Sequence, residues 1–281
     1  MKKKPRLVVC ADDYAFTPGI SRGIRELLAA RRISATSVMT GCDHWPAEAA
    51  SLKAVAGKAD IGLHVTLTDQ RPMGPMPRFA PEGRFPAMAA VYKAGLAHRL
   101  PLDEIRAEIE RQVTAFVEHF GAPPAHIDGH HHIQQLPGVR DIVVEIAGRI
   151  GRGRTWVRSG REDLRLILER GVATSKALFI AMLGRSMRRR TQQRGVPVNE
   201  GFSGAYDFLH EPRPLDELFG RFVLRAGDNM LVMCHPGYVD DMPDGLDIMT
   251  APREAELRYL MSDAWPALIE RAGMELGPLR R

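Results

Sequence analysis

The sequence predicts an α/β fold in which mostly parallel strands form a single-domain, distorted β/α barrel. Short β-rich runs alternate with helical patterns, and about six or more such units fit into 281 residues as one TIM-like domain, residues 1–281. Strands joined through helices form right-handed units, so the strands are expected to run parallel. A doubly wound open sheet remains an alternative, because the pattern alone does not distinguish it from a barrel.

The expected elements follow from local patterns along the chain. The first strand is almost continuously apolar, as in a strand covered on both faces, and Thr17 and Pro18 provide the N-cap and the first residue of the helix after it. Residues 68–100 are rich in Pro and Gly and are expected to form a long functional loop. The expected strands are 6–11, 35–40, 59–67, 125–128, 154–158 and 229–235, and the expected helices are 45–57, 101–121, 137–151 and 251–273.

The net charge of +5 is concentrated in one basic, helix-prone segment, residues 161–194. This segment carries nine Arg or Lys against three acids, so it contributes +6 and the rest of the chain −1. Within it, residues 175–194 have an apolar first half and a run of arginines, which suits peripheral contact with an anionic membrane. A helix packed on the barrel with a solvated basic end explains the pattern equally. No aromatic residues are interleaved as nucleic-acid binding requires, so no nucleic-acid partner is expected.

Composition also bounds the location of the protein. The apolar run near the N-terminus is too short for a signal peptide, and no stretch approaches the ~18 apolar residues of a membrane span. The three cysteines do not form a disulfide framework. A cytoplasmic enzyme is expected, and a homodimer is left open.

Chemically active side chains cluster where the predicted strands end. The carboxyl ends of the strands meet at the active-site face of β/α folds, so these groups are expected to share one pocket. Four of the ten histidines fall within residues 126–132 alone. The strand-end residues are Asp12, Asp13, His64, His126, Asp128, His130, Arg158 and His235.

A carboxylate with two or three imidazoles is the ligand set of a divalent metal such as Zn²⁺, Fe²⁺ or Mn²⁺. Three protein ligands leave positions open for water and substrate. Each residue alone has a plainer explanation: a turn or helix cap for the aspartates, a core or surface position for a histidine, a solvated loop for the histidine run. For no metal site to exist, all of these explanations must hold together.

Four motifs resemble, in order, those of the YdjC-like carbohydrate deacetylases: "VVCADDYAFTPGISRGI", "IGLHVTL", "HIDGHHHI" and "MCHPGYVDD". That family includes chitooligosaccharide deacetylases and relatives linked to hopanoid biosynthesis. The resemblance runs from about residue 6 to the C-terminal helix. It implies a distorted β/α barrel, distantly similar to NodB-type polysaccharide deacetylases.

The resemblance implies a role for each matching residue. Asp13 matches the metal carboxylate, and His64 and His130 match the metal imidazoles. Asp12 matches the catalytic base, and His235 matches the general acid.

The remaining site residues match the family less directly. Arg158 aligns loosely with an arginine that orients the base. His126 and Asp128 are expected to support the ligands, although His126 and His130 together are an alternative metal clamp. Strand alternation is expected to turn His131 away from the pocket and His132 towards it. The residues expected to face a sugar are Tyr206, Phe208, Trp45 and the 68–100 loop.

The function implied is metal-dependent removal of an N-acetyl group from an amino sugar, an oligosaccharide or a glycolipid, with Mg²⁺ or Zn²⁺ as the cofactor. Two departures from the family stand out. "ADDYAF" replaces the usual "ADDFG", and the long basic segment is more similar to that of the hopanoid-associated relatives, which argues against a chitobiose-like substrate. The alternatives are hydrolysis of a phosphoester or cyclic amide on the same barrel, and non-enzymatic membrane or anion binding through residues 175–194.

Overall fold

The computed structural model describes residues 3–243, 247 and 249–281. Its centre is a curled sheet with the strand order β5-β4-β3-β2-β1-β7-β6, in which every pair is parallel, and β8 adds to the start of β1. A single parallel bridge joins Val157 of β5 to Val198, which precedes β6. The two outer edges of the sheet therefore meet, and the predicted α/β fold with a distorted barrel is confirmed. The strands are β1 Arg6–Tyr14, β2 Ala35–Val38, β3 Asp60–Val65, β4 His126–Gly129, β5 Trp156–Val157, β6 Gly201–Ser203, β7 Met230–Cys234 and β8 Glu275–Leu276.

Helices pack around the outside of this sheet. Thr17 caps α1 by accepting a hydrogen bond from the Ile20 amide at 3.2 Å, and α4 ends at Gly121, whose φ of 83° suits a glycine. The helices are α1 Pro18–Ala29, α2 Trp45–Val55, α3 Met88–Leu96, α4 Leu102–Phe120, α5 Val139–Ile150, α6 Leu164–Arg170, α7 Thr174–Arg194, α8 Leu215–Phe222, α9 Thr250–Met261 and α10 Ala264–Arg271.

The structure corrects several predicted boundaries. The expected 68–100 loop contains α3, which the flanking prolines and glycines obscured in the sequence. The expected closing helix is two helices, because Ser262 is extended at ψ 164° and interrupts it. The short elements β6, β8 and α8 were not predicted, since two to eight residues hold too little periodicity to detect. Within the described residues, no helix is long and apolar enough to cross a membrane.

Candidate active site

The end of β1 carries two buried aspartates side by side. In a regular strand, adjacent side chains point to opposite faces. Here the pairing register between β1 and β2 shifts between Ala11 and Tyr14, and Asp13 has a φ of 67°. This bulge ends the alternation, so Asp12 and Asp13 both lie at the open end of the barrel.

Asp13 meets two imidazoles from neighbouring strands. Its Oδ1 atom lies 3.4 Å from Nε2 of His64 on β3 and 3.2 Å from Nδ1 of His130, which directly follows β4. One candidate ligand atom from each of the three residues lies within 4.8 Å of the others. The structure thus brings together the three residues predicted as metal ligands.

The hydrogen bonding of this group fits a cation. Nδ1 of His64 donates to Oδ1 of Asp128 at 2.7 Å, so in the neutral imidazole the lone pair of Nε2 faces Asp13. Asp13 Oδ1 is buried and has no hydrogen-bond partner. Two lone pairs that face each other in a buried place require a positive charge between them. The donor set, one carboxylate and two imidazoles, suits a divalent metal.

The electrostatics of the group agree with this assignment. Burial would raise the pKa of Asp13, but the Arg253 guanidinium and the two imidazoles hold that pKa well below its usual range. Burial would lower the pKa of His64, but the carboxylates of Asp128 and Asp12 outweigh it and raise the pKa to about 10. The local potential at His64 therefore favours a positive charge, whether a proton or a metal ion.

Asp12 is held by a buried arginine. Nη1 and Nη2 of Arg158 each donate to one carboxylate oxygen of Asp12 at 2.6 Å, and Nη2 also lies 2.5 Å from Oδ2 of Asp128. Burial would lower the pKa of Arg158, but the two carboxylates raise it well above its usual value. The paired fork fixes the plane of the Asp12 carboxylate at the pocket floor.

His235 follows β7 on the other side of the pocket. Its backbone N–H donates to Oε2 of Glu256 at 2.6 Å, and its ring meets Phe208 edge-on, with centroids 5.0 Å apart. Burial lowers the pKa of His235 to about 4, although Asp13 and Asp12 oppose this shift.

His126 lies in a second, closed group. Its ring stacks on Trp156 with centroids 4.2 Å apart, and its Nε2 atom lies 3.0 Å from Ser37 Oγ and 3.8 Å from Cys10 Sγ. Cys10, His126 and Asp128 have the spacing of a metal site, but all three are fully buried. The structure places His126 apart from the group that contains His130, which does not favour the clamp of His126 with His130.

The histidine run does not continue the strand. Residues 130–135 form a 3₁₀ turn in which His131 and His132 have φ values of 55° and 59°. The expectation that alternation turns His131 away from the pocket is therefore wrong, because the backbone is no longer extended. His130, His131 and His132 all line the pocket.

The predicted sugar-facing residues separate into two sets. Phe208 lines the pocket, whereas the Tyr206 hydroxyl is used in a 2.7 Å hydrogen bond to Oε1 of Glu256. Trp45 is fully buried and donates to the Ala115 carbonyl, so its prediction as a sugar-facing residue is wrong. The 68–100 segment contributes Met88, Ala89 and Tyr92 of α3 to the pocket wall.

The pocket above these groups has a volume of about 540 Å³. Polar groups form its floor, and its walls are mainly apolar, with Lys176 of α7 as an additional cation. Such a pocket, apolar with a few convergent polar groups, is typical of a small-molecule site. The wall residues are Met88, Ala89, Tyr92, Lys176, Phe179, Ile180, Phe208, Met233 and Met249.

Sequence reasoning missed the charged residues on α9. Arg253 and Glu256 are each only 1% exposed and contact Asp13 and His235. They share the buried face of the helix with Leu257 and Leu260. Charged residues on the apolar face of a predicted helix were the pattern that could have revealed them.

Comparisons with known proteins show which proteins this chain resembles. The family model described as "YdjC-like protein" matches residues 6–271. A carbohydrate deacetylase from Homo sapiens is 34% identical, with 98% of this chain and 90% of that protein covered. A chitooligosaccharide deacetylase from Klebsiella pneumoniae is 28% identical over 98% of both chains. A crystal structure from Enterococcus faecalis, of a candidate cellobiose-phosphate cleavage protein, has a TM-score of 0.75 at 20% identity, covers 98% of this chain and 97% of its own, and supports the fold.

Proposed function

Because this chain belongs to the family of YdjC-like proteins, we propose that it is a metal-dependent hydrolase that removes an N-acetyl group from an amino sugar. Relatives along nearly the whole chain carry the names carbohydrate deacetylase and chitooligosaccharide deacetylase. The observation that carries the proposal is the meeting of Asp13, His64 and His130, of which the two histidines line the pocket together with Asp12.

Asp13, His64 and His130 are the residues that would hold the ion, and Mg²⁺ or Zn²⁺ are the candidates. When bound, a divalent ion supplies Lewis acidity, which stabilises negative charge on oxygen and lowers the pKa of water to roughly neutral values. Asp128 supports this set because it accepts the Nδ1 proton of His64 and so directs Nε2 towards the ion.

Asp12 is the proposed general base. Arg158 occupies one lone pair on each of its oxygens, and the carboxylate retains further lone pairs for the proton of the attacking water. The bidentate contact holds the base in one orientation, which reduces the reorganisation needed during the reaction.

His235 is the proposed general acid. Burial lowers its pKa to about 4, so the neutral imidazole predominates at neutral pH, and the protonated form is a strong proton donor to the departing amine. Asp12 takes one proton from water and His235 gives one to nitrogen, so the amide and water become an amine and acetic acid, which then loses a proton to give acetate. General acid catalysis of this kind typically contributes about 10²–10⁴-fold to the rate.

The apolar pocket walls support a substrate with an apolar portion beside the amino sugar, such as a glycolipid. Tyr92, Phe179, Ile180 and Phe208 all line the pocket, and Phe208 lies beside His235. Phe179 and Tyr92 also contact each other, with ring centroids 5.6 Å apart. A chitooligosaccharide would use the same floor and contact these walls through its sugar faces.

The expected membrane contact through residues 175–194 stays a prediction, as do the cytoplasmic location and the homodimer. The segment lies on α7, where Arg188 pairs with Glu200 and Arg190 pairs with Asp141. Lys176 faces the pocket. These contacts favour the simpler interpretation of a helix packed on the barrel.

Acetate release tests the proposed function. We expect the purified protein with Mg²⁺ or Zn²⁺ to release acetate from N-acetylglucosamine oligomers or from an N-acetylglucosaminyl glycolipid. H130A is expected to lose metal binding and acetate release together. H210A is the matched control, because the His210 side chain is 76% exposed. Full metal occupancy and activity in H130A would contradict the ligand assignment. Release of phosphate, or opening of a cyclic amide, without acetate release would favour the alternative hydrolases.

A further inference from the structure

We propose that Arg253 and Glu256 of α9 are positioning residues that fix the metal carboxylate and the general acid relative to each other. This inference rests on the proposed function. It assigns a task to a helix that contributes no group to the chemistry itself. The two residues stand three positions apart, so their side chains leave the same face of the helix about one turn apart.

Arg253 orients Asp13. Its Nη2 atom donates to Oδ2 of Asp13 at 2.7 Å, and its Nε atom donates to Oδ2 of Asp247 at 2.6 Å. With Oδ2 occupied in this way, Oδ1 of Asp13 is the oxygen that faces His64 and His130. The guanidinium thereby selects which carboxylate oxygen is presented to the ion.

Glu256 anchors the chain at His235. Its Oε2 atom accepts the His235 backbone N–H at 2.6 Å, and its Oε1 atom accepts the Tyr206 hydroxyl at 2.7 Å. Burial raises the pKa of Glu256 to about 7 despite these hydrogen bonds. The position of the imidazole at the pocket wall therefore depends on a carboxyl group behind it.

Backbone contacts complete the connection. The Gly237 N–H donates to the Arg253 carbonyl at 3.2 Å, and Nη1 of Arg253 lies 3.5 Å from the His235 carbonyl. Leu257 and Leu260 hold the same helix in the core. One rigid element thus spans the metal carboxylate and the segment that carries the acid. Displacement by about 1 Å is enough to cost roughly 10²-fold in rate, so such a connection matters for catalysis.

A purely structural role makes a different prediction. A buried ion pair is weak evidence for stability, since apolar residues often replace it without loss. If Arg253 and Glu256 only stabilised the fold, their conservative variants would lower the melting temperature and leave metal affinity and turnover unchanged.

Metal titration tests Arg253. We expect R253K to weaken Zn²⁺ binding to the metal-stripped protein by about 10–100-fold in calorimetry, the range typical of residues that orient ligands. R170K is the matched control, because Arg170 is also buried, at 4% exposed, and pairs with Glu162, which does not line the pocket. D247N removes the other carboxylate that orients Arg253 and is expected to weaken binding in the same direction. Zn²⁺ affinity within twofold of wild type in both R253K and D247N would overturn this assignment.

Steady-state kinetics test Glu256. E256Q replaces one acceptor oxygen with an N–H₂ donor, so one of the two contacts, with the His235 N–H or with the Tyr206 hydroxyl, is lost or reversed. We expect E256Q to lower kcat about 10–100-fold, with KM and Zn²⁺ affinity within twofold, as loss of an aligned catalytic group requires. E108Q is the matched control, since Glu108 is also buried and accepts a backbone N–H, that of Met73. Equal kcat in E256Q and E108Q would overturn the role of Glu256.

The two tests separate this inference from the proposed function. If wild-type protein released no acetate, the deacetylase proposal would fail, whereas the Zn²⁺ titrations of R253K and D247N would still decide the role of Arg253.

Discussion

The Asp13–His64–His130 group and the Cys10–His126–Asp128 group both combine an aspartate with histidine, and both draw on β1 and on β4 or the residue that follows it. His64 and His130 of the first, the open group, line the pocket, and Asp13 Oδ1 beside them is buried and has no hydrogen-bond partner. The second, the closed group, is fully buried, and Ser37 contacts both its cysteine and its histidine. Residue type and spacing are the same kind of evidence in both groups, and contact with the pocket, through His64 and His130, distinguishes the open group.

The closed group also presents a poor thiol ligand. Burial raises the pKa of Cys10 well above its usual value, against the opposing charge of Arg158. A metal binds the thiolate and not the thiol. The structure thus favours an orienting role for the closed group, carried out mainly through Asp128.

The largest expected effect comes from removing an imidazole of the open group and comparing it with the closed group. H64A is expected to lose stoichiometric metal and with it all measurable acetate release, because two ligands remain of three. C10A is expected to keep both, since its side chain lies outside the pocket. Metal content, measured by mass spectrometry after dialysis, checks both H64A and C10A. Loss of metal in C10A with retention in H64A would reverse the assignment of the two groups.

The next largest effect is expected from D12N, which distinguishes the proposed base from the proposed metal ligands. D12N preserves size but removes the basic oxygen pair, so we expect kcat to fall by about 10²–10⁴-fold. Metal affinity is expected to stay within threefold, because Asp13 supplies the ligand oxygen. Calorimetry measures the metal affinity of D12N, and steady-state kinetics on the same preparation measures its kcat. A D12N protein that no longer binds metal would place Asp12 among the ligands.

A smaller effect on metal affinity is expected from Asp128, the residue of the closed group that contacts His64 of the open group. Asp128 accepts from Nδ1 of His64 and also contacts Arg158, and D128N would weaken the orientation of His64. We expect metal affinity to fall about 10–100-fold, with residual activity at saturating metal. The measurement is activity as a function of Zn²⁺ concentration. An unchanged metal dependence would mean that Asp128 serves only the closed group.

The strand ends that form the open group could be predicted, because parallel strands in β/α units converge at one face. Asp13, His64 and His130 lie at three such ends, and the structure brings them together. The direction of each side chain after a strand could not be predicted. The bulge at Asp13 and the positive φ values of His131 and His132 depend on tertiary packing that no periodic pattern records.

Contacts between distant parts of the chain could not be predicted from the sequence either. Arg253 reaches Asp13 across 240 positions, and α9 had no motif that linked it to β1. Trp45 is an aromatic residue of the kind that contacts sugars, but its ring packs on Phe116 in the core. Burial, which decides between such roles, is a property of the folded chain.

The smallest expected effect on catalysis comes from His126, the histidine of the closed group. Its ring fills the space between Trp156 and Gly62, where an added Cβ on the glycine would lie 2.3 Å from the imidazole. H126A therefore leaves a cavity and removes one hydrogen-bond partner of Ser37, which keeps its contact with Asp128, and we expect the free energy of unfolding to fall by about 1–3 kcal/mol. Zn²⁺ affinity and kcat are expected to stay within threefold, because His126 does not reach the pocket. Urea denaturation of the metal-stripped protein measures the first quantity, and calorimetry with acetate release measures the others. A tenfold loss of Zn²⁺ affinity at unchanged stability would show that the closed group takes part in metal binding and that the two groups act as one.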